Sequence, residues 1–362
     1  MLLSIKSPAQ KASTHDPVIS TIFLGFICVC IGITILQFSG IPLYIWKQNW
    51  YYRFIRRTKR QTGIACIILL QWLMPSNMIL SGDEKILSYF EELPNIQKDM
   101  QIYNRFILIG NHQISTDWLY IWWIAYIRRI HDGIYIVLKD SLRKIPIVGW
   151  GMKTFGFIFL SRSWSKDRHK LENHLEHLSL QNESMLLLLY PEGTNFSPNT
   201  KPKSVIYAKK KGLPILDYVL LPRIKGLYLC LRYLSKSTKY LYNCTIGYEG
   251  VIHNEYAQNI FTFKSIILNR KFPKNVHIHF EKIDINKIPL SNEEIFKEWL
   301  YKLWIEKNKL MYQFFNQGYF SNDSIIKRKI KLKSIIEILE LWDVFVIIFL
   351  VIISIYYLLK RI

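Results

Sequence analysis

The chain has 362 residues, half of them hydrophobic, and a formal net charge of +21 from 48 Lys and Arg against 27 Asp and Glu. That length holds one large domain plus membrane segments, and the apolar content is high for a freely soluble enzyme. The charge suits a polyanionic partner. No helix-turn-helix, zinc-finger or RNA-binding signature accompanies it, so an anionic membrane surface or substrate is favoured over nucleic acid.

Residues 1–17 form a polar leader, and Val18–Ile45 is nearly uncharged and long enough to cross a bilayer core that needs roughly 20 residues. The run exceeds a signal-peptide core and no A-x-A-type cleavage site follows, so it reads as a retained anchor. Lys47, Arg53, Arg56, Arg57, Lys59 and Arg60 come after it, against Lys6 and Lys11 before it, which points the following chain toward the cytosol. Residues 1–61 are therefore assigned to leader and anchor. Gly63–Leu80 is a second apolar run, broken by Gln71 and Pro75, that reads as a re-entrant or in-plane element, a core helix or a marginal span. With a polar connector it fills 62–104.

From Phe106 to Ile283 short apolar runs alternate with helix-like stretches. Strands are expected at 106–109, 134–138, 156–160, 185–190, 219–221, 242–248 and 276–283, and helices near 116–129, 166–181, 203–211 and 224–234. This is the pattern of an α/β domain with a mixed sheet flanked by helices, here placed at 105–320. The stretch FILIGNHQISTDWLYIWW, 106–123, carries its most pointed signal. Gly110 ends an apolar strand, Ser115 or Thr116 can cap a helix, and His112 and Asp117 lie on either side of that cap. On one continuous helix these two would diverge by about 140°, so they meet only if His112 sits in the turn and Asp117 in the first helical turn. A carboxylate so placed fixes the imidazole tautomer and stabilises its cation. The plainer alternative is a strand-end histidine beside a helix-start acid.

Arg162 ends FIFLSR after a candidate strand, a position suited to forked bonding of a phosphate or to an ordinary surface arginine. His174 and His177 on the 166–181 helix have a spacing that could share a metal. The preferred reading is a solvated face opposite Leu171, Leu175 and Leu178. In YPEGT, 190–194, Pro191 and Gly193 force a sharp turn after a strand, where α/β folds place ligands. Between Gly193 and Tyr248 the only acid is Asp217 among ten cations, a run suited to a solvated face, to coenzyme A phosphates or to an anionic leaflet. Ser291–Glu294 has the form of a capping box opening a long amphipathic helix. A basic stretch at Lys327–Lys333 precedes the apolar run Leu341–Leu359, read as a C-terminal transmembrane helix within 321–362. The five cysteines, Cys28, Cys30, Cys66, Cys230 and Cys244, show neither metal spacing nor a disulfide framework.

NHQISTDW, KDSLRKIPIVGWGMKTFGFIFLSRSWSKD (139–167), LLLLYPEGTNFSP (186–198) and YVLLPRIKGL (218–227), in this order, resemble the family that acylates glycerol phosphate and lysophospholipids. The later stretch WLYKLWIEKNKLMYQFF, 299–315, is similar to its lysocardiolipin and lysophosphatidylinositol branch. The resemblance covers about 105–320 and implies acyl-CoA as co-substrate, a lysophospholipid acceptor and a multi-pass endoplasmic reticulum membrane protein whose catalytic domain faces the cytosol. It implies His112 as general base oriented by Asp117, and Asn111, Arg162, Glu192, Gly193, Thr194 and Pro222 in the acceptor site. No cofactor and no catalytic metal are expected. For Glu192 three roles stay open: bonding a substrate hydroxyl, orienting Arg162 or holding the turn's backbone. The rival functions are a lysophosphatidic acid acyltransferase, a silent lipid-binding protein of the same fold, and a hydrolase using the same pair on water.

Overall fold

The computed structural model describes residues 17–91, 105–161, 163–321 and 325–360. The chain opens with helices α1 (Pro17–Ser39), α2 (Ile41–Trp46) and α3 (Gln48–Leu73), then strand β1 (Asn77–Gly82) and α4 (Glu84–Glu91). β2 (Arg105–Gly110), α5 (Asp117–Ile127), β3 (Ile134–Lys139), α6 (Val148–Thr154) and β4 (Ile158–Leu160) follow. Next come α7 (Trp164–Leu180), β5 (Met185–Leu189), α8 (Lys201–Lys211), α9 (Ile224–Leu234) and β6 (Tyr240–Tyr248). α10 (Ala257–Ile260), α11 (Phe263–Asn269), β7 (Asn275–Asp284), α12 (Glu293–Gln317), β8 (Ile325–Lys329) and α13 (Trp342–Lys360) complete the order.

The strands form one eight-stranded mixed sheet in the order β4-β3-β5-β2-β6-β7-β1-β8. β4, β3, β5, β2 and β6 run parallel, so their carboxyl ends share one edge; β6–β7 is antiparallel, β7–β1 parallel and β1–β8 antiparallel. The central strands β2 and β5 are buried at every position because both faces are covered. Their alternation divides the side chains: Phe106 and Leu108 pack with α3 and α5, while Ile107 and Ile109 pack with α7, α9 and α12. α5 is buried nearly all round, as a helix apolar on every face must be. Gly63 lets α3 cross it, since a Cβ there would lie 2.7 Å from the Trp122 indole nitrogen and from the His131 ring.

Six expected strands form; residues 219–221 do not. Around that segment the backbone is taken up elsewhere: Tyr218 N–H donates to Asn308 Oδ1 (2.9 Å), Leu221 N–H to Ser204 Oγ (3.1 Å), and Pro222 has no N–H to give a ladder. Gly63–Leu80 is not a single in-plane or re-entrant element. Its first part completes α3, buried against the domain through Ala65, Cys66, Ile67, Leu69 and Leu70, and its end is β1, hydrogen-bonded between β7 and β8. Pro75 separates the two parts, as a residue unable to continue a helix. The basic stretch contains β8, an edge strand whose charges face solvent, a common protection of sheet edges. Both strands extend the sheet beyond 105–320. The long C-terminal-domain helix starts at Glu293, capped by Asn292, whose side chain accepts from Glu294 N–H (2.8 Å), and not by Ser291.

Among the described residues, Ser20–Trp46 is the one stretch with the length and apolarity to cross a membrane. A helix of 19 residues, α13, stands where the C-terminal span is expected. It packs on α1, where Gly32 admits Val344 and Ile348; a Cβ there would sit 2.8 Å from Val344.

Candidate active site

His112 and Asp117 meet in the one way open to them. β2 ends at Gly110, the turn carries His112, and Asp117 is the first residue of α5. His112 Nδ1 lies 2.8 Å from Asp117 Oδ2. The same carboxylate accepts Gln113 N–H (2.8 Å) and Ile114 N–H (3.2 Å), so it caps the turn that presents the histidine. Thr116 occupies the cap position without a side-chain bond, because Asp117 has taken that work. Tyr248, at the end of β6, donates its hydroxyl to Asp117 Oδ1. Asp117 is fully buried, while the His112 side chain keeps 17% of its surface. With Nδ1 committed to a carboxylate, Nε2 is the nitrogen left with a lone pair for chemistry. The imidazole stacks on Tyr190, ring centroids 4.3 Å apart and planes 14° from parallel, which fixes its remaining rotation.

The YPEGT turn is bound to this centre. Phe196 N–H donates to His112 O (2.7 Å), and Gln113 Nε2 to Tyr218 O (3.0 Å). Gly193 sits at φ +70, with the Arg223 side chain where a Cβ would point (3.0 Å). Arg223 N–H bonds Pro191 O (2.7 Å), so the fourth block clamps the third, and Pro222 is buried beside it. Thr194 is half-buried. Glu192 is buried, 3% exposed; its Oε1 lies 3.4 Å from the Trp304 indole nitrogen, the backbone N–H groups of His112 and Leu220 lower its pKa, and its Oε2 has no hydrogen-bond partner among the described residues. Burial pushes its pKa up to about 8, against the pull of those donors and of Lys307. Lys307, fully buried on α12, donates to Cys244 O (2.5 Å) and Thr245 Oγ1 (3.2 Å), and burial lowers it to about 8.

Asn111 is engaged within the sheet. Its amide donates to Ile246 O (2.9 Å) and its carbonyl accepts Ile246 N–H (2.8 Å), so both ends are consumed by β6. It extends the β2–β6 ladder by one side-chain rung. Arg162 lies outside the described residues; Ser161 and Ser163, on either side of it in sequence, are both bonded by Asp167 (2.8 and 3.1 Å). Leu171, Leu175 and Leu178 are buried as expected, and among the described residues no three His, Cys, Asp or Glu side chains cluster as metal ligands. Nothing in the sequence singles out Tyr248, Trp304 or Lys307. Tyr190 belongs to the YPEGT block, but an aromatic before a Pro-Glu-Gly turn carries no sign that it will support an imidazole.

The acyltransferase family model matches residues 89–226, and the acyltransferase C-terminus model matches 266–349. An uncharacterized acyltransferase of Schizosaccharomyces pombe is 34% identical over 321 residues, 88% of this chain and 91% of that protein. The 2-acyl-1-lysophosphatidylinositol acyltransferase of Saccharomyces cerevisiae is 34% identical over 330 residues, 81% and 83% of the two chains. Lysocardiolipin acyltransferase 1 of Gallus gallus is 30% identical over 284 residues, 77% and 68%.

The buried carboxyl of Glu192 generates a graded expectation. Glu192→Gln retains an acceptor for the Trp304 indole and the facing N–H groups, whereas Glu192→Ala leaves them unpaired at a cost of about 1–3 kcal/mol. The alanine variant should therefore show the lower denaturation midpoint in matched membranes or detergent. Equal midpoints for the two variants would remove the backbone-holding role.

Proposed function

This chain belongs to the acyltransferase family, and from that premise we propose that it moves an acyl group from acyl-CoA to a free glycerol hydroxyl of an anionic lysophospholipid. Lysophosphatidylinositol-type acceptors are favoured because relatives matched over most of their length carry lysophosphatidylinositol and lysocardiolipin in their names. The observation that carries the chemistry is the His112–Asp117 pair at the carboxyl edge of the sheet, with no hydrogen-bond partner for Nε2 among the described residues.

In this reading His112 Nε2 takes the proton of the acceptor hydroxyl as its oxygen attacks the thioester carbonyl. A C–O bond forms, the tetrahedral intermediate collapses with loss of the C–S bond, and the imidazolium returns its proton to the departing coenzyme A sulfur. Asp117 stabilises the transient cation. General-base catalysis of this kind is worth ~10²–10⁴-fold, so positioning supplies the rest. No acyl-enzyme is invoked: the cysteine nearest this centre, Cys244, is buried with its thiol pushed up to about 12, and no G-x-S-x-G elbow is present. No step is routed through a metal or cofactor.

Labelled acyl-CoA supplied with a panel of lysophospholipids tests the reading. Transfer to inositol-headgroup acceptors supports it; transfer to 1-acylglycerol 3-phosphate alone would reassign the acceptor, and release of free fatty acid alone would make the protein a hydrolase. His112→Ala should abolish transfer while the protein accumulates normally in membranes. Asp117→Asn should cost less, since an amide holds the ring but does not stabilise its cation.

Arg162 is assigned to the acceptor phosphate. Arg162→Ala should then raise the apparent KM for the lysophospholipid far more than for acyl-CoA, through loss of a forked contact. Equal effects on both would assign it elsewhere.

The protein is placed in the endoplasmic reticulum membrane with its domain in the cytosol, where acyl-CoA is made available. The packing of Gly63–Leu73 on the domain and the pairing of β1 in the sheet support a single crossing ahead of the domain. A glycosylation acceptor engineered near Asn199 should remain unmodified, and one placed after Ile362 should be modified. The reverse pattern would invert the orientation.

A further inference from the structure

We propose that the segment Ile145–Trp150, together with α2 and the start of α3, forms a wedge that sits in the headgroup layer of an anionic leaflet and holds the mouth of the site there. The proposal rests on the membrane reading above and adds the surface that makes the contact.

Two apolar surfaces join at this place. On one side Ile45 and Trp46 are 81% and 89% exposed, with Trp50 beyond them. On the other, Ile145, Ile147, Val148 and Trp150 all face solvent, although the segment is short and fully ordered by its own bonds. The halves meet where Phe38, at the end of α1, stacks on Trp150 (centroids 4.5 Å, planes 12°). A soluble domain rarely presents so many large side chains together without a partner.

The loop is stiff. Ile147 has φ 64 and ψ −64, with Val148 N–H bonded to Pro146 O (2.7 Å), a γ-turn of the strained hand held by a β-branched residue. Gly149 is packed so closely that a Cβ would lie 2.3 Å from Arg143 O, and its N–H bonds Ile145 O (2.8 Å). This fixes the apolar side chains outward. Strain of this kind persists where surrounding structure imposes it, commonly at functional segments.

Charge and continuity choose the occupant. No Asp or Glu occurs from Pro17 to Gly82 or from Ser141 to Lys166. Exposed Lys47 and Arg53 flank one half, and exposed Arg143, Lys144 and Lys153 the other; among the described residues only Arg143 pairs with a carboxylate, Asp140 at 3.4 Å. Such cations gain about 1 kcal/mol each beside anionic lipid. The patch also continues Ser20–Trp46, the described stretch with the character of a span, and ends it with the tryptophans favoured at interfaces. A protein partner would need complementary carboxylates and would abut a membrane-spanning helix, so the leaflet is the simpler occupant.

Position supplies the purpose. The wedge follows β3 through the turn Asp140–Lys144, and so lies on the same carboxyl edge as His112 after β2 and Glu192 after β5. A lipid acceptor can then reach Nε2 from the leaflet without leaving the interface.

The test uses the full chain in nanodiscs containing anionic lipid, with Cys28 and Cys30 changed to Ser and the remaining cysteines buried. Val148→Cys, Ile145→Cys and the exposed control Leu180→Cys each carry an environment-sensitive NBD label. Labels at Val148 and Ile145 should be quenched by lipids bearing a nitroxide near the headgroup, at a depth of about 5–10 Å, and their iodide quenching constants should be several-fold below that at Leu180. Iodide quenching at both wedge sites equal to that at Leu180 would overturn the proposal. Protection from both quenchers would do so too, by assigning the patch to a protein contact or a second copy. The measurement needs no acyl transfer, so it stands apart from the proposed activity.

Discussion

The Asp117 carboxylate holds the centre of this protein together. It is fully buried, and its bonds join two parts of the fold: the turn after β2, through the His112 imidazole and the backbone of Gln113 and Ile114, and the end of β6, through the Tyr248 hydroxyl. A buried charge of this kind is tolerated because its lone pairs are met by donors. The same donors that satisfy it also lock the turn, so the His112–Asp117 pair and the local fold are one structure. Removing any of them loosens both.

Behind this centre α12 acts as a keel. Trp304 reaches Glu192, Lys307 bonds the backbone at Cys244, Asn308 holds Tyr218, and Phe314 packs where Gly247 leaves room. Glu192 and Lys307 are both pushed toward neutrality by burial, Glu192 upward and Lys307 downward. Each charge partly offsets the cost of the other, and a lone survivor would be left as an uncompensated buried charge. α12 is thus part of the site's foundation, consistent with a second family model matching 266–349.

The sheet gives these parts a common direction. Five parallel strands end on one edge, and their connecting loops bring together the His112 turn, the Glu192 turn and the apolar segment after β3. On the other side of the β6–β7 reversal, β1 and β8 close the sheet with residues from outside the central blocks, tying α3 and the segment before α13 to the domain. The crossing of α3 over α5 at Gly63 makes the same connection through a helix face.

The sequence alone determined the local chemistry. His112 and Asp117 could be paired from their spacing because a strand end, a turn and a first helical turn are short-range geometry. The apolar runs of β2 and β5 announced buried strands for the same reason. Burial and long-range partners had no such signal. Tyr248 lies 131 residues from Asp117, and nothing near it in the chain marks it as a donor. Asn111 reads as a polar site residue, yet β6 consumes both ends of its amide. Residues 219–221 look like a strand but give their backbone to side chains, and β1 hides in the tail of an apolar run that begins as a helix. These outcomes follow from which elements the sheet brings side by side. That is decided by packing over the whole chain, where the free energy of burying a group depends on neighbours that local sequence does not name.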